Sequence, residues 1–115
     1  MTETDYRAVQ ALTVVVPAYN EEGAVINTVS ELKRHLGDAG LDYRIIVVDD
    51  CSTDRTSALL SEVIDNQTSV IRHGRNRGYG ASLKTGIRAA ETPLVVITDA
   101  DGTYPNHRIP ELALR

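Results

Sequence analysis

The sequence has one cysteine, Cys51, so no internal disulfide can form and no CxxC pair exists to hold zinc. A lone free thiol fits a reducing compartment. The opening residues MTETDYRAVQ lack the basic region and apolar run of a secretory signal. No apolar run approaches the roughly 20 residues needed to span a bilayer. The expected location is therefore the cytoplasm, or the cytoplasmic face of a membrane through regions outside this chain. An excess of basic charge is missing as well: 12 Lys and Arg against 16 Asp and Glu leave a formal net charge of −4. That argues against a non-specific nucleic-acid binder. It leaves room for a nucleotide, because a metal ion can bridge an acidic site to phosphates. Several catalytic signatures are absent too. No GxGxxG follows the first apolar run, and there is no GxxxxGK[ST] loop, HExxH pair or GxSxG elbow. His73 thus reads as a loop residue, His35 and His107 as surface residues, and Ser52 as a helix cap.

What is present is a core. Of the 115 residues 42 % are hydrophobic, enough for one small domain. We expect a polar arm over residues 1–11 and an α/β unit over residues 12–115. Apolar, β-branched runs predict strands at 12–16, closed by Pro17, and at 43–48, 68–71 and 94–98. Helical spacing of Val25, Ile26, Val29, Leu32 and Leu36 predicts a helix capped by Asn20, starting at Glu21 and ending in GDAG, residues 37–40. A second helix, capped by Ser52, Thr53 or Asp54, turns Ala58, Leu59 and Val63 inward. A third uses Leu83, Ile87 and Ala90, and a last one begins near Asn106. Strands alternating with amphipathic helices predict a mostly parallel sheet with helices on both faces and right-handed crossovers.

In such a sheet the loops after the strands share one rim, where ligands bind. Three polar clusters fall there: PAYNEE, DDCSTD and DADGTYP. Asp99 and Asp101 lie two apart and point the same way in extended backbone. Like charges held so close need a proton or cation between them, and Mg²⁺ or Mn²⁺ suits oxygen ligands. Of the neighbours Asp49 and Asp50, either one could brace the turn while the other meets a base or sugar. Tyr19 can stack on a base, and Glu21 can meet a ribose or the metal region. The loop RHGRNRGYG carries Arg72, Arg75 and Arg77, whose forked donors suit phosphate. Gly78 and Gly80 allow close backbone approach. Lys84 follows on the next helix as a further phosphate contact or a plain surface charge.

VVVPAYNEE (14–22), IIVVDDCSTDRT (45–56), NRGYGASLKTGI (76–87) and VITDADGTYP (96–105) together resemble the family 2 glycosyltransferases, in that family's order and spacing. The likeness is greatest to the polyprenyl-phosphate branch that includes dolichyl-phosphate mannosyltransferases. It implies the nucleotide-binding part of a GT-A, Rossmann-like fold and a donor that is GDP- or UDP-linked. It also implies a polyprenyl-phosphate acceptor at a membrane surface, with inversion at the sugar. Pro17, Ala18, Tyr19, Glu21, Asp49, Asp50, Asp99, Ala100 and Asp101 would line the nucleotide site, with Asp50 favoured over Asp49 as base contact. Asp99 and Asp101 would be the catalytic DxD holding Mg²⁺ or Mn²⁺, joined in the metal shell by Thr103, which stands where many members have Gln. Arg75, Arg77 and Lys84 would be phosphate contacts. Cys51 replaces the usual Gly of DDGSTD, so a turn requiring φ > 0 there would be strained.

VVITDADGT also resembles the first motif of haloacid-dehalogenase-like phosphatases, in which Asp99 would be the nucleophile and Asp101 the acid and base. That family places the motif on its first strand, whereas here three polar clusters precede it. A third expectation is a non-catalytic nucleotide-binding or scaffold domain of the transferase fold. The chain stops shortly after the metal loop, so we expect an incomplete C-terminal part. The fourth strand is then an uncovered edge, through which the chain could self-associate.

Overall fold

A computed structural model of the chain describes residues 11–102 and Ile109. Four strands, β1 (Leu12–Ala18), β2 (Tyr43–Asp49), β3 (Thr68–Arg72) and β4 (Leu94–Ile97), alternate with three helices, α1 (Val25–Asp38), α2 (Thr56–Leu60) and α3 (Tyr79–Ala89). The sheet order is β3-β2-β1-β4, and every pairing is parallel. The expected α/β class, with a parallel sheet and helices on both faces, is what forms.

The two faces are packed differently. Val14, Val16, Ile45 and Val47 point to one face and meet Val25, Val29, Leu32 and Leu36 of α1, with Leu60, Val63 and Ile109 completing that core. Val15, Ile46 and Val48 point to the other face. This is the period-two alternation of strands, with both sides buried as parallel strands require. The α3 helix covers the second face through Ser82 and Gly86. A Cβ on Gly86 would collide with Val15 Cγ1, so the missing side chain is what lets helix and strand approach. The expected inner stripe of α3 is thus displaced: Ile87 is exposed, and the helix meets the sheet with its small residues.

Several boundaries also differ from the sequence expectation. Pro17 does not close β1, which continues to Ala18. Val15 gives its carbonyl to Thr98, while Ala18 gives its own to Asp50 on the opposite side. Pro17 shares Val15's side and lies beyond the last residue paired with β4, so its missing N–H costs no ladder bond. The α1 helix starts at Val25, not Glu21, and Asn20 does not cap it. In α2, Ala58 is exposed and Leu60 takes the inner position. The edge strand β4 leaves Val95 and Ile97 exposed. Residues 1–10 of the expected polar arm, Thr103, His107 and the start of the helix expected near Asn106 lie outside the described residues.

Candidate functional site

The sheet order reverses between β1 and β4: β2 and β3 step away on one side of β1 and β4 lies on the other. A crevice opens at the carboxyl ends of strands at such a switch point. There, a cavity of about 430 Å³ is lined by Pro17 and Ala18 at the end of β1, Tyr19 and Glu21 just beyond it, and Asp50 after β2. Asn76, Gly78, Tyr79 and Ser82 line it from the α3 entry, and Asp99, Ala100 and Asp101 from beyond β4. A depression of similar size, about 420 Å³, lies at the opposite ends of the strands around Thr13, Arg44 and Thr92. Volume alone therefore does not select the site; the switch point and the gathered carboxylates do.

Two loops are locked together to make one wall. Asn20 Oδ1 accepts from the backbone N–H groups of Thr53 (2.8 Å) and Asp54 (3.3 Å). Ser52 Oγ accepts from Asn20 N, and Thr56 Oγ1 accepts from Glu21 N. Asn20 and Cys51 hold φ of 51° and 61°. The turn therefore does use the left-handed region at the position where Cys51 stands in place of the usual glycine. Asn accepts that region readily, whereas Cys does so with strain.

The neighbouring aspartates divide their work. Asp49 is fully buried and does not line the cavity. It accepts from Ser52 N and Oγ and from Ser57 Oγ, and so braces the turn. Ser52 is thereby a partner of Asp49, not a helix cap. Asp50 faces the cavity and takes bonds from His73 Nδ1, Arg77 N and Gly78 N, each at 2.8 Å. Burial by itself raises its pKa, but the bonds from His73 and the two backbone N–H groups outweigh burial and hold it below the ordinary carboxylate value. A carboxylate has about four acceptor positions, so Oδ2 keeps one for a ligand.

Across the cavity, Thr28 Oγ1 donates to the Ala100 carbonyl at 3.1 Å and pins the DADG turn to α1. The Tyr79 hydroxyl reaches Asp99 Oδ1 at 3.4 Å. Burial raises the pKa of Glu21, and the charges of Asp101, Asp54 and Asp99 push it further. Glu21 therefore shares a strongly negative wall with the DxD pair. Among the described residues no three His, Cys, Asp or Glu side chains group to enclose a metal ion. Two carboxylates nevertheless fit Mg²⁺ or Mn²⁺, since Mg²⁺ is usually held by one or two carboxylates, with water and substrate phosphate filling the other positions. Thr103, the third expected ligand, lies outside the described residues.

Of the expected phosphate contacts, none lines this cavity. Arg77 and Lys84 line a neighbouring depression with Arg88, and Arg75 is exposed in the loop. The loop contributes its backbone instead. Gly78, singled out from the sequence for close backbone approach, lines the cavity, and so do Asn76, Tyr79 and Ser82 of the same NRGYGAS segment, which the sequence did not single out. His73, read from the sequence as a loop residue, has a buried side chain.

The family model for glycosyl transferase family 2 matches residues 13–115. The chain belongs to glycosyl transferase family 2. This sets the DADG turn of a family 2 chain apart from the phosphatase motif it resembles in wording. The succinoglycan biosynthesis protein ExoO of Rhizobium meliloti (strain 1021) is 33 % identical over 104 residues, covering 90 % of this chain and 29 % of that protein. An undecaprenyl-phosphate 4-deoxy-4-formamido-L-arabinose transferase of Edwardsiella ictaluri (strain 93-146) is 31 % identical over 112 residues, covering 95 % and 34 %. Among solved structures, the mannosyltransferase PcManGT from Pyrobaculum calidifontis, in complex with GDP-Man and Mn²⁺, aligns with a TM-score of 0.70. It is 29 % identical, with 91 % of this chain and 31 % of that one covered. The family 2 chain thus spans about a third of the length of these relatives. No helix among its described residues is long and apolar enough to cross a membrane.

Proposed function

We propose that the cavity between β1 and β4 binds the nucleoside-diphosphate end of a nucleotide sugar. The protein to which this family 2 segment belongs then transfers the sugar to a polyprenyl phosphate. The observation that carries this reading is the convergence of Glu21, Asp50, Asp99 and Asp101, from the ends of three strands, on one cavity. Its volume falls within the roughly 300–1,000 Å³ of small-molecule sites. Relatives named for undecaprenyl phosphate, and a structural neighbour holding GDP-Man and Mn²⁺, support the same chemistry.

Asp50 Oδ2 receives a base N–H, and Tyr19 offers its ring to the base. Asp99 and Asp101 would hold Mg²⁺ or Mn²⁺, which would supply positive charge to offset that of the departing diphosphate. An oxygen of the acceptor phosphate attacks the anomeric carbon as the bond from that carbon to the diphosphate oxygen breaks. The bonding pair leaves with the diphosphate, and the sugar inverts. A phosphate acceptor is anionic at neutral pH, so alignment of acceptor and donor matters more than a general base. Arg75, Arg77 and Lys84, being outside the cavity lining, are given no contact with the diphosphate. For this segment by itself, which spans about a third of the length of these relatives, weak donor-nucleotide binding at most is expected.

Calorimetric titration with UDP, GDP and their sugars, with and without Mn²⁺, tests the reading. Metal-dependent binding lost in Asp99→Ala and Asp101→Ala supports it. A folded protein that binds none of these ligands would favour the scaffold alternative, and phosphomonoester hydrolysis abolished by Asp99→Asn would overturn it.

A further inference from the structure

We propose that His73 is a positioning residue for nucleotide recognition: its imidazole, wedged between Asp50 and Thr85, holds the Asp50 carboxylate so that Oδ2 faces the bound base. The inference rests on the nucleotide reading above.

His73 follows β3 directly, and its backbone N–H donates to the Asp49 carbonyl at 2.9 Å, continuing the β2–β3 ladder one step onto the rim. That anchors the ring beneath the loop, where the side chain is 5 % exposed. Nδ1 lies 2.8 Å from Asp50 Oδ1, and Nε2 lies 2.8 Å from Thr85 Oγ1. Thr85 Oγ1 is also 3.0 Å from the Ala81 carbonyl, one turn back along α3. A hydroxyl has one proton to give. If it goes to Ala81, Nε2 must donate and both ring nitrogens carry protons. If it turns to Nε2, the remaining ring proton sits on Nδ1. Either way Nδ1–H faces the Asp50 carboxylate, which can only accept.

The other bonds to Asp50 come from the backbone of Arg77 and Gly78, at the entry to α3. The carboxylate thus joins the end of β2, the residue after β3 and the start of α3. Gly78 makes its contact at φ 95°, a conformation suited to glycine. Neighbouring charges are turned elsewhere. Asp49 faces Ser52 and Ser57, and Arg72 donates to Ser57 Oγ and the Ser52 carbonyl. Asp50 is the charged side chain hydrogen-bonded to the ring. Without His73, Oδ1 loses its side-chain donor and the carboxylate is held by the Arg77 and Gly78 N–H groups alone, so Oδ2 is aimed less firmly at the base. The diphosphate end, held at Asp99 and Asp101, is unaffected.

The test compares two probes on the purified protein. Wild type, His73→Leu, His73→Asn and Thr85→Val are titrated with UDP and GDP, and separately with inorganic pyrophosphate, all with Mn²⁺. Thermal unfolding checks that each variant is folded. His73→Leu should weaken nucleoside-diphosphate binding by about tenfold or more, the scale of a lost hydrogen bond to a charged group, and leave pyrophosphate binding unchanged. His73→Asn, which restores an N–H close to the Nδ1 position, should recover most of the loss, and Thr85→Val should lose less than His73→Leu. In proton NMR the His73 Nδ1–H should give a downfield, exchange-protected signal that Asp50→Asn shifts or removes. Equal nucleotide affinity in folded His73→Leu would overturn the positioning role alone, as would a parallel loss of pyrophosphate. A wild type that binds neither UDP nor GDP would overturn the nucleotide reading and this role with it. Should His73→Leu fail to fold, His73→Asn and Thr85→Val decide through the same ratio of nucleotide to pyrophosphate affinity.

Discussion

Gly86 of α3 stands directly on Val15 of β1, with no room between them for a single methyl group. The contact sets the distance between helix and sheet on the face opposite α1. Gly86→Ala gains helix propensity of up to about 1 kcal/mol but forces backbone and a buried strand residue apart. Overpacking of that kind costs about 1–3 kcal/mol, so the net change should be destabilising. Urea denaturation would show a lower midpoint at unchanged slope. A midpoint equal to or above wild type would refute the close packing.

Asn20 and Thr53 join the first and second rim loops across 33 residues of sequence. Asn20→Ala removes the acceptor for two backbone N–H groups. Both bonds are exposed, so water takes over part of the work, and a loss of about 1 kcal/mol is expected. The same measurement checks it, and an unchanged stability would mean that the loops are held without Asn20.

Cys51→Gly should be neutral or stabilising, against the usual direction for glycine substitutions. A non-glycine residue in the left-handed region is strained by about 1–2 kcal/mol, whereas glycine's added chain entropy costs about 0.5–1 kcal/mol. A thermal midpoint that holds or rises is the expected result; a clear fall would show that the Cys51 side chain contributes more than its backbone costs.

Asp50→Asn should lower stability at pH 7 by about 2–4 kcal/mol, because charge-assisted bonds from His73 and two N–H groups are weakened in a buried place. The pH dependence follows from the lowered pKa of Asp50. A group depressed in the folded state contributes fully above its unfolded value, 3.8, and loses that contribution as pH falls through the folded value. The gap between wild type and Asp50→Asn should therefore narrow below about pH 4. Denaturation curves from pH 7 to pH 3 measure it, and a gap that stayed constant would contradict the assigned bonding. Lys33 and Asp65 make a useful contrast. Their 2.8 Å pair, with the Asp65 carboxyl lowered to about 2, is partly open to solvent, the Asp65 side chain more than that of Lys33. Removing it should cost no more than about 1 kcal/mol.

Much of the architecture was legible because its signal is local. The runs LTVVV and IIVV could only be buried strands, and the spacing of Val25, Val29, Leu32 and Leu36 could only be one helical face. The placement of PAYNEE, DDCSTD and DADG on one rim followed from that alternation. The displaced inner face of α3 was not legible. Leu83 and Ile87 look like a core stripe, but the sheet beneath is already filled by Val15, Ile46 and Val48, and only small residues fit against it. His73 was missed for a similar reason. Its partners Asp50 and Thr85 are 23 and 12 residues away, and no spacing rule connects them.

By itself, the sequence determined that this is a parallel α/β chain of glycosyl transferase family 2, with its acidic residues at the ends of strands. Those properties depend on patterns a few residues long, repeated in order. The tertiary structure decided between neighbours. It turned Asp49 inward onto two serines and Asp50 outward to the cavity, brought Glu21 beside Asp99 and Asp101, and set a buried histidine behind Asp50. Adjacent residues with the same side chain are indistinguishable by composition. They differ only in which hydrogen-bond donors the folded chain brings within about 3 Å.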